Sequence, residues 1–156
     1  VSLMELVDVV APKYPDVDRD LVLIGVLLHD LSKIDELSYE KGFEYTDEGQ
    51  LVGHLVMGVE LLGQMIRDWE AANSDVFPKD LAIQLKHLIV SHHGEYEYGS
   101  PKLPMTLEAV MLHFLDNMDA KLFQFSQAMS SEANPDSQWT PYIASIGRRL
   151  YKNSRG

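Results

Sequence analysis

Cysteine is absent from this 156-residue chain. Disulfide frameworks and thiolate zinc sites are therefore excluded, and any bound metal must be held by His, Asp and Glu. A chain without cysteine also fits a cytoplasmic location. Basic residues are scarce: Lys and Arg number 13 against 24 Asp and Glu, a formal charge of −11. Such a surface repels nucleic acid unless cations or another domain intervene. The plainer reading of the acidity is solubility. Long apolar runs are missing as well. The longest, Leu21 to Leu28, is too short to cross a bilayer. The first residues lack the charged-then-apolar layout of a signal peptide, so no membrane partner is expected. No alternating strand pattern persists anywhere.

What is present is enough apolar material, 46% of residues, to bury the core of one domain. The spacing predicts an all-α chain with helices over about 2–11, 19–33, 47–72, 78–93 and 106–128, and a short terminal helix around 142–151. Pro12 and Pro15 stop the first, and Asp16 or Asp18 caps the second. Thr46 caps the third, with Asp47 and Glu48 in its first turn, and Pro78 opens the fourth. Residues 34–45 and 94–104 read as loops, and 130–138 as the one plausible linker. Leu3, Leu6, Val7 and Val10 already keep helical spacing, so Val1 is expected to lie inside a helix that begins upstream.

Several polar residues occupy positions where core side chains would be expected. Asp30 closes the run Leu21 to Leu28 with His29 beside it. A carboxylate there is costly unless a cation or a donor meets it, and a divalent metal or Lys33 would serve. On a helix, His29 and Asp30 point roughly 100° apart. They share one metal only if the helix end relaxes; otherwise the carboxylate bridges two metals, which in such sites lie roughly 3.5–4 Å apart. His92 and His93 fall where the fourth helix ends before Gly94, and unwinding there would turn both rings inward. His54 lies among Leu51, Leu55 and Met57. Asp116 follows an apolar run that only His113 interrupts. Taken singly, each is more readily a cap, an ion-pair partner or a satisfied core residue than a ligand. Lys33 could equally pair with Asp30 or Asp35.

Taken in order, however, His29-Asp30, His54, His92-His93 and Asp116 resemble the HD-domain superfamily of metal-dependent phosphohydrolases. The resemblance implies an HD-domain bundle of five or more helices occupying residues 1–156 as a single domain. It assigns His29, Asp30, His54, His92, His93 and Asp116 as metal ligands, two divalent ions per complete site, and Lys33 as a contact to the scissile phosphate. One element departs from the pattern. The superfamily's leading His has no counterpart in residues 1–28, and the resemblance places it upstream of Val1. The segments His92 to Pro101, Pro104-Met105-Thr106, His113 to Lys121 and Trp139 to Tyr142 are similar to the YhaM-type group of 3′-to-5′ exoribonucleases. That group joins an upstream OB-fold to the HD domain. RNA or single-stranded nucleic acid would then be gripped largely by the OB-fold, which suits the acidic charge.

The ligand types suit Mn²⁺, Fe²⁺, Zn²⁺, Ni²⁺ or Mg²⁺, with Mn²⁺ favoured by the resemblance. Asp30 would hold metal and position water, Lys33 would meet the charge on the phosphate, and the product would be a nucleoside 5′-monophosphate. Glu97 and Asp119 are candidate substrate contacts. His87 and His113 match no ligand position, although His113, one turn before Asp116, could support a ligand. Three other functions share these features: hydrolysis of small or cyclic nucleotides, a regulatory HD module without catalysis, and a di-iron oxygenase. Homo-oligomerisation is compatible with all of them.

Overall fold

The computed structural model describes residues 2–38, 44–130 and 137–152. It divides into two units, 1–116 and 117–156. The first begins with α1 (Ser2–Val10), which runs into a 3₁₀ turn at Ala11–Lys13 where Pro12 ends regular hydrogen bonding. Helix α2 (Arg19–Leu28) starts at Asp18, whose carboxylate accepts from the Leu21 amide. It stops at Leu28, earlier than the apolar spacing suggested, and His29 caps it.

A separate one-turn helix follows, α3 (Lys33–Glu36), where a loop was expected. Strand β1 (Leu37–Ser38) pairs antiparallel with β2 (Glu44–Tyr45). Two-residue strands are too short to leave an alternating pattern, which is why the sequence reads as all-α. Part of the expected loop, residues 39–43, lies outside the described residues.

Thr46 caps α4 (Asp47–Leu51) as expected, its hydroxyl accepting from the Gly49 amide. The single helix expected over 47–72 is in fact two. The chain breaks at Gly53, whose φ of 78° is open to glycine and strained for other residues, and α5 (His54–Asn73) starts immediately after. Helix α6 (Lys79–Ser91) follows Pro78 and is capped at its end by His92. A 3₁₀ turn at Tyr96–Tyr98 leads to α7 (Leu107–Ser130). Thr106 caps α7 through the Ala109 amide.

Two apolar clusters hold this unit together. Leu21, Leu62, Leu85, Leu88, Ile89, Ala109 and Leu112 join α2, α5, α6 and α7. Leu3, Val7, Ala11, Val22, Met111 and Leu115 join α1, α2 and α7. Burying each large aliphatic side chain contributes roughly 1.5–3 kcal/mol. The clusters fix the ends of α2 and α6, and with them the residues just beyond.

The second unit takes up α7 from Asn117. The terminal helix expected around 142–151 is not formed. Trp139 pairs with Tyr151 and Ile143 with Arg148 in isolated antiparallel bridges. Buried Thr140 holds the two sides together: its amide donates to the Leu150 carbonyl and its hydroxyl accepts from the Leu150 amide. Pro141 and Gly147, at φ 71°, favour a reversal over a helix. Most of the expected linker, residues 131–136, lies outside the described residues. No helix among the described residues is long and apolar enough to cross a membrane.

Candidate metal centre

Helix ends build the centre. His29 and His92 occupy the same position on two helices, the residue after the last full turn of α2 and of α6. Each ring folds back so that Nδ1–H donates to the carbonyl three residues earlier, Val26 at 2.9 Å and Ile89 at 2.8 Å. These carbonyls would otherwise lack a partner at a helix terminus. Donation from Nδ1 leaves the Nε2 lone pair free, and both rings are buried, at 6% and 2% exposure.

His54 and His93 reach the same space from the other side. His54, first residue of α5, donates from its amide and from Nδ1 to one oxygen of Glu36, each at 3.0 Å. His93 donates from Nδ1 to the Tyr98 carbonyl at 2.9 Å. Their Nε2 atoms lie 3.2 Å apart. With both protons committed to oxygen acceptors, these nitrogens meet lone pair to lone pair, an arrangement that calls for a cation between or beside them.

Asp30 stands at the centre, beyond α2, in the turn where the helix relaxes. Its Oδ2 accepts from Lys33 Nζ at 2.8 Å and lies 3.4 Å from His29 Nε2. Its Oδ1 is buried and has no hydrogen-bond partner among the described residues. That oxygen lies 3.6 Å from both His54 Nε2 and His92 Nε2, too far for a hydrogen bond. Asp116, on α7, completes the set with Oδ1 3.6 Å from His29 Nε2.

The protonation states follow from this crowding. Burial works against a charged His29, but the nearby carboxylates of Asp116 and Asp30 outweigh it and raise its pKa to about 9. Burial likewise works against ionised Asp30, and His29, His92 and Lys33 outweigh it, holding the carboxyl well below its usual range. Asp116 is lowered too, burial being overcome chiefly by His29. Burial lowers the pKa of His93 below its ordinary value. A divalent cation at His29 Nε2 would displace any proton there and take over the pairing with both carboxylates.

The donor atoms fall into two groups, His29–His92–Asp116 and His54–His92–His93, each within 4.8 Å. An imidazole offers one lone pair, so His92 can serve only one group at a time. Asp30, with one oxygen toward His29 and the other toward His54 and His92, is the side chain placed to span both. The orphaned Oδ1, the facing nitrogens and the nitrogen–carboxylate chemistry fit divalent cations.

All six residues expected to be ligands therefore converge on one space. Lys33 lies at its edge, paired with Asp30. Glu97 is exposed on the turn 96–98, and Asp119 lies in the second unit. His113 is buried and donates from Nδ1 to the His92 carbonyl, supporting the turn that carries both imidazoles. His87 accepts from the Met105 amide, away from the centre. Glu36, 6% exposed, was not singled out in the sequence. Its position six residues after Asp30, one turn beyond Lys33, was the only available signal.

These elements define an HD domain: a family model of that description matches residues 2–121, and the chain belongs to that family. Among curated proteins, the chain is 40% identical over 152 residues to "3'-5' exoribonuclease YhaM" of Bacillus velezensis, and equally to the proteins of that name from Bacillus subtilis and Bacillus licheniformis. Each alignment covers 97% of this chain and 46% of the relative, so the chain spans about half the length of the curated relatives it matches. No solved structure matches it.

Proposed function

We propose that this domain is the catalytic part of a metal-dependent phosphodiesterase that removes nucleotides from the 3′ end of RNA. The observation that carries the reading is the unpartnered Oδ1 of Asp30 facing imidazole lone pairs, in a chain 40% identical to proteins named as exoribonucleases. His29, Asp30, His54, His92, His93 and Asp116 would hold two cations, with manganese preferred. Bound divalent ions lower the pKa of water toward neutrality and offset charge on phosphate oxygens.

The chain's own groups do the rest. Asp30 Oδ1 orients the attacking water and accepts a hydrogen bond from it. Lys33 Nζ exchanges its contact with Asp30 for a non-bridging phosphate oxygen. Water oxygen joins phosphorus as the bond to the preceding 3′ oxygen breaks. The products are a nucleoside 5′-monophosphate and an RNA with a new 3′ hydroxyl. Glu36 holds the His54 ring in the Nδ1–H form. Glu97 is a candidate for contact with the strand beyond the scissile bond. An OB-fold upstream would grip the strand that this acidic domain repels, in the cytoplasm where RNA is turned over.

The test is hydrolysis of a single-stranded oligoribonucleotide by the manganese-loaded chain, with Asp30→Ala beside it. Wild type should release 5′-monophosphates, and the variant should lose at least about a hundredfold in rate, more than a supporting residue costs, with its helical circular dichroism unchanged. Retained activity in the variant would sink the assignment. Cleavage of small nucleotide diesters alone would move the reading to a small-nucleotide hydrolase.

A further inference from the structure

Beside the outer pair of imidazoles lies a recess of about 270 Å³, which the metal ligands use only at its floor. His54 and His93 form that floor, and Val52, Val56, Tyr98 and Pro101 are among its walls. None of its lining residues carries a carboxylate, an ammonium or a guanidinium, although the chain as a whole carries a charge of −11. An apolar, carboxylate-free hollow against a cation-binding centre is poorly suited to bare phosphate. It suits the uncharged part of a molecule whose phosphate sits at the centre.

Size narrows the choice. Pockets for small organic ligands run roughly 300–1,000 Å³, so this one, just below that range, suits one aromatic heterocycle and not two stacked ones. Its aromatic residue is Tyr98, about half exposed at 55%. The main-chain carbonyl of the same residue fixes His93. The wall residue is thereby tied at a set distance from a metal ligand. The polar side-chain atoms of the lining are the Tyr98 hydroxyl and two imidazoles already directed at the cation space. Recognition here goes by the face of a ring and not by its edge, the mode that tolerates any base.

We infer that this recess is a subsite for the nucleobase of the nucleotide whose phosphate lies at the metal centre, stacked against Tyr98 and bounded by Val52 and Val56. The inference deepens the phosphodiesterase reading and rests on it for the position of the phosphate, but its test needs no turnover.

Calorimetric titration of the manganese-loaded chain with 5′-AMP and with ribose 5-phosphate isolates the base. Wild type should bind 5′-AMP roughly tenfold more tightly, the lower part of the range that one base–aromatic stack supplies. Tyr98→Leu should erase the preference and Tyr98→Phe should keep it. Val56→Trp, which puts a larger side chain at the recess lining, should weaken 5′-AMP and leave ribose 5-phosphate unchanged. Equal affinities for the two ligands in wild type would overturn the subsite, as would a preference surviving both Tyr98→Leu and Val56→Trp. A preference in a protein that hydrolyses no oligoribonucleotide would support the subsite while removing the exonuclease. Hydrolysis without a preference would do the reverse.

Discussion

The candidate metal centre has two halves built on different principles. In the inner half, His29 and His92 are each oriented by their own helix, through a carbonyl three residues back. In the outer half, His54 and His93 are oriented by groups from other segments, the Glu36 carboxylate and the Tyr98 carbonyl. The inner half is therefore as rigid as the packed ends of α2 and α6. The outer half depends on the short segments 33–38 and 94–101, which contribute few buried side chains. Segments of that kind open at lower free energy than packed helices.

Three changes probe this contrast. Gly94→Ala should do the most damage, because it strikes the turn that carries both His92 and His93. Gly94 has φ 79°, and an added Cβ would overlap the His113 ring. Strain and overlap together should cost roughly 2–5 kcal/mol of stability, read from urea unfolding. Wild-type stability in that variant would show that the turn is softer than its contacts imply.

Glu36→Gln should act on the outer half alone. It keeps the size of the side chain but weakens the hold on His54, and loss of such a partner typically lowers metal affinity roughly 10–100-fold. Two-site metal titration should show the weaker step shifted and the tighter one retained. A uniform loss at both steps would erase the distinction between halves.

The smallest effect belongs to the inner half and is read through pH. Without metal, His29 has a pKa raised from its ordinary value of 6.5 to about 9. A raised folded-state value stabilises the fold fully below pH 6.5 and loses that contribution as pH climbs through about 9. Chelator-treated protein should therefore lose stability across this window, and His29→Gln should flatten the dependence. Cation loading at pH 8 should also release a proton, measurable as a buffer-dependent heat. A flat stability profile for the metal-free wild type would contradict the pairing of His29 with Asp116 and Asp30.

The same contrast explains what could be seen in advance. The six candidate ligands stood out because each is a polar side chain at an apolar position and because their order matches a family pattern. The ends of α2 and α6 were partly legible: Gly94 marks one, while nothing local marks Leu28. Gly53 was a visible sign of a break in the helix expected over 47–72, but a weak one, because apolar spacing continues through it from Leu51 to Leu55 and one glycine costs a helix only about 1 kcal/mol. Glu36 was hidden because its role exists only once α3 and α5 meet. At the C-terminus, Ile143, Ile146 and Leu150 imitate a helical face. The hydrogen bonds of Thr140 to Leu150 give those residues a reversal instead.

Residue 54 shows how the fold separates its scaffold from its chemistry. Glu36 accepts from the His54 amide as well as from the ring, and the Ser32 hydroxyl donates to the His54 carbonyl at 2.6 Å. The backbone at the start of α5 is thus clamped from both sides by bonds that any residue except proline, which has no amide hydrogen, would leave in place. A change of donor at position 54 would therefore leave these two anchors of the main chain in place, and with them the start of α5.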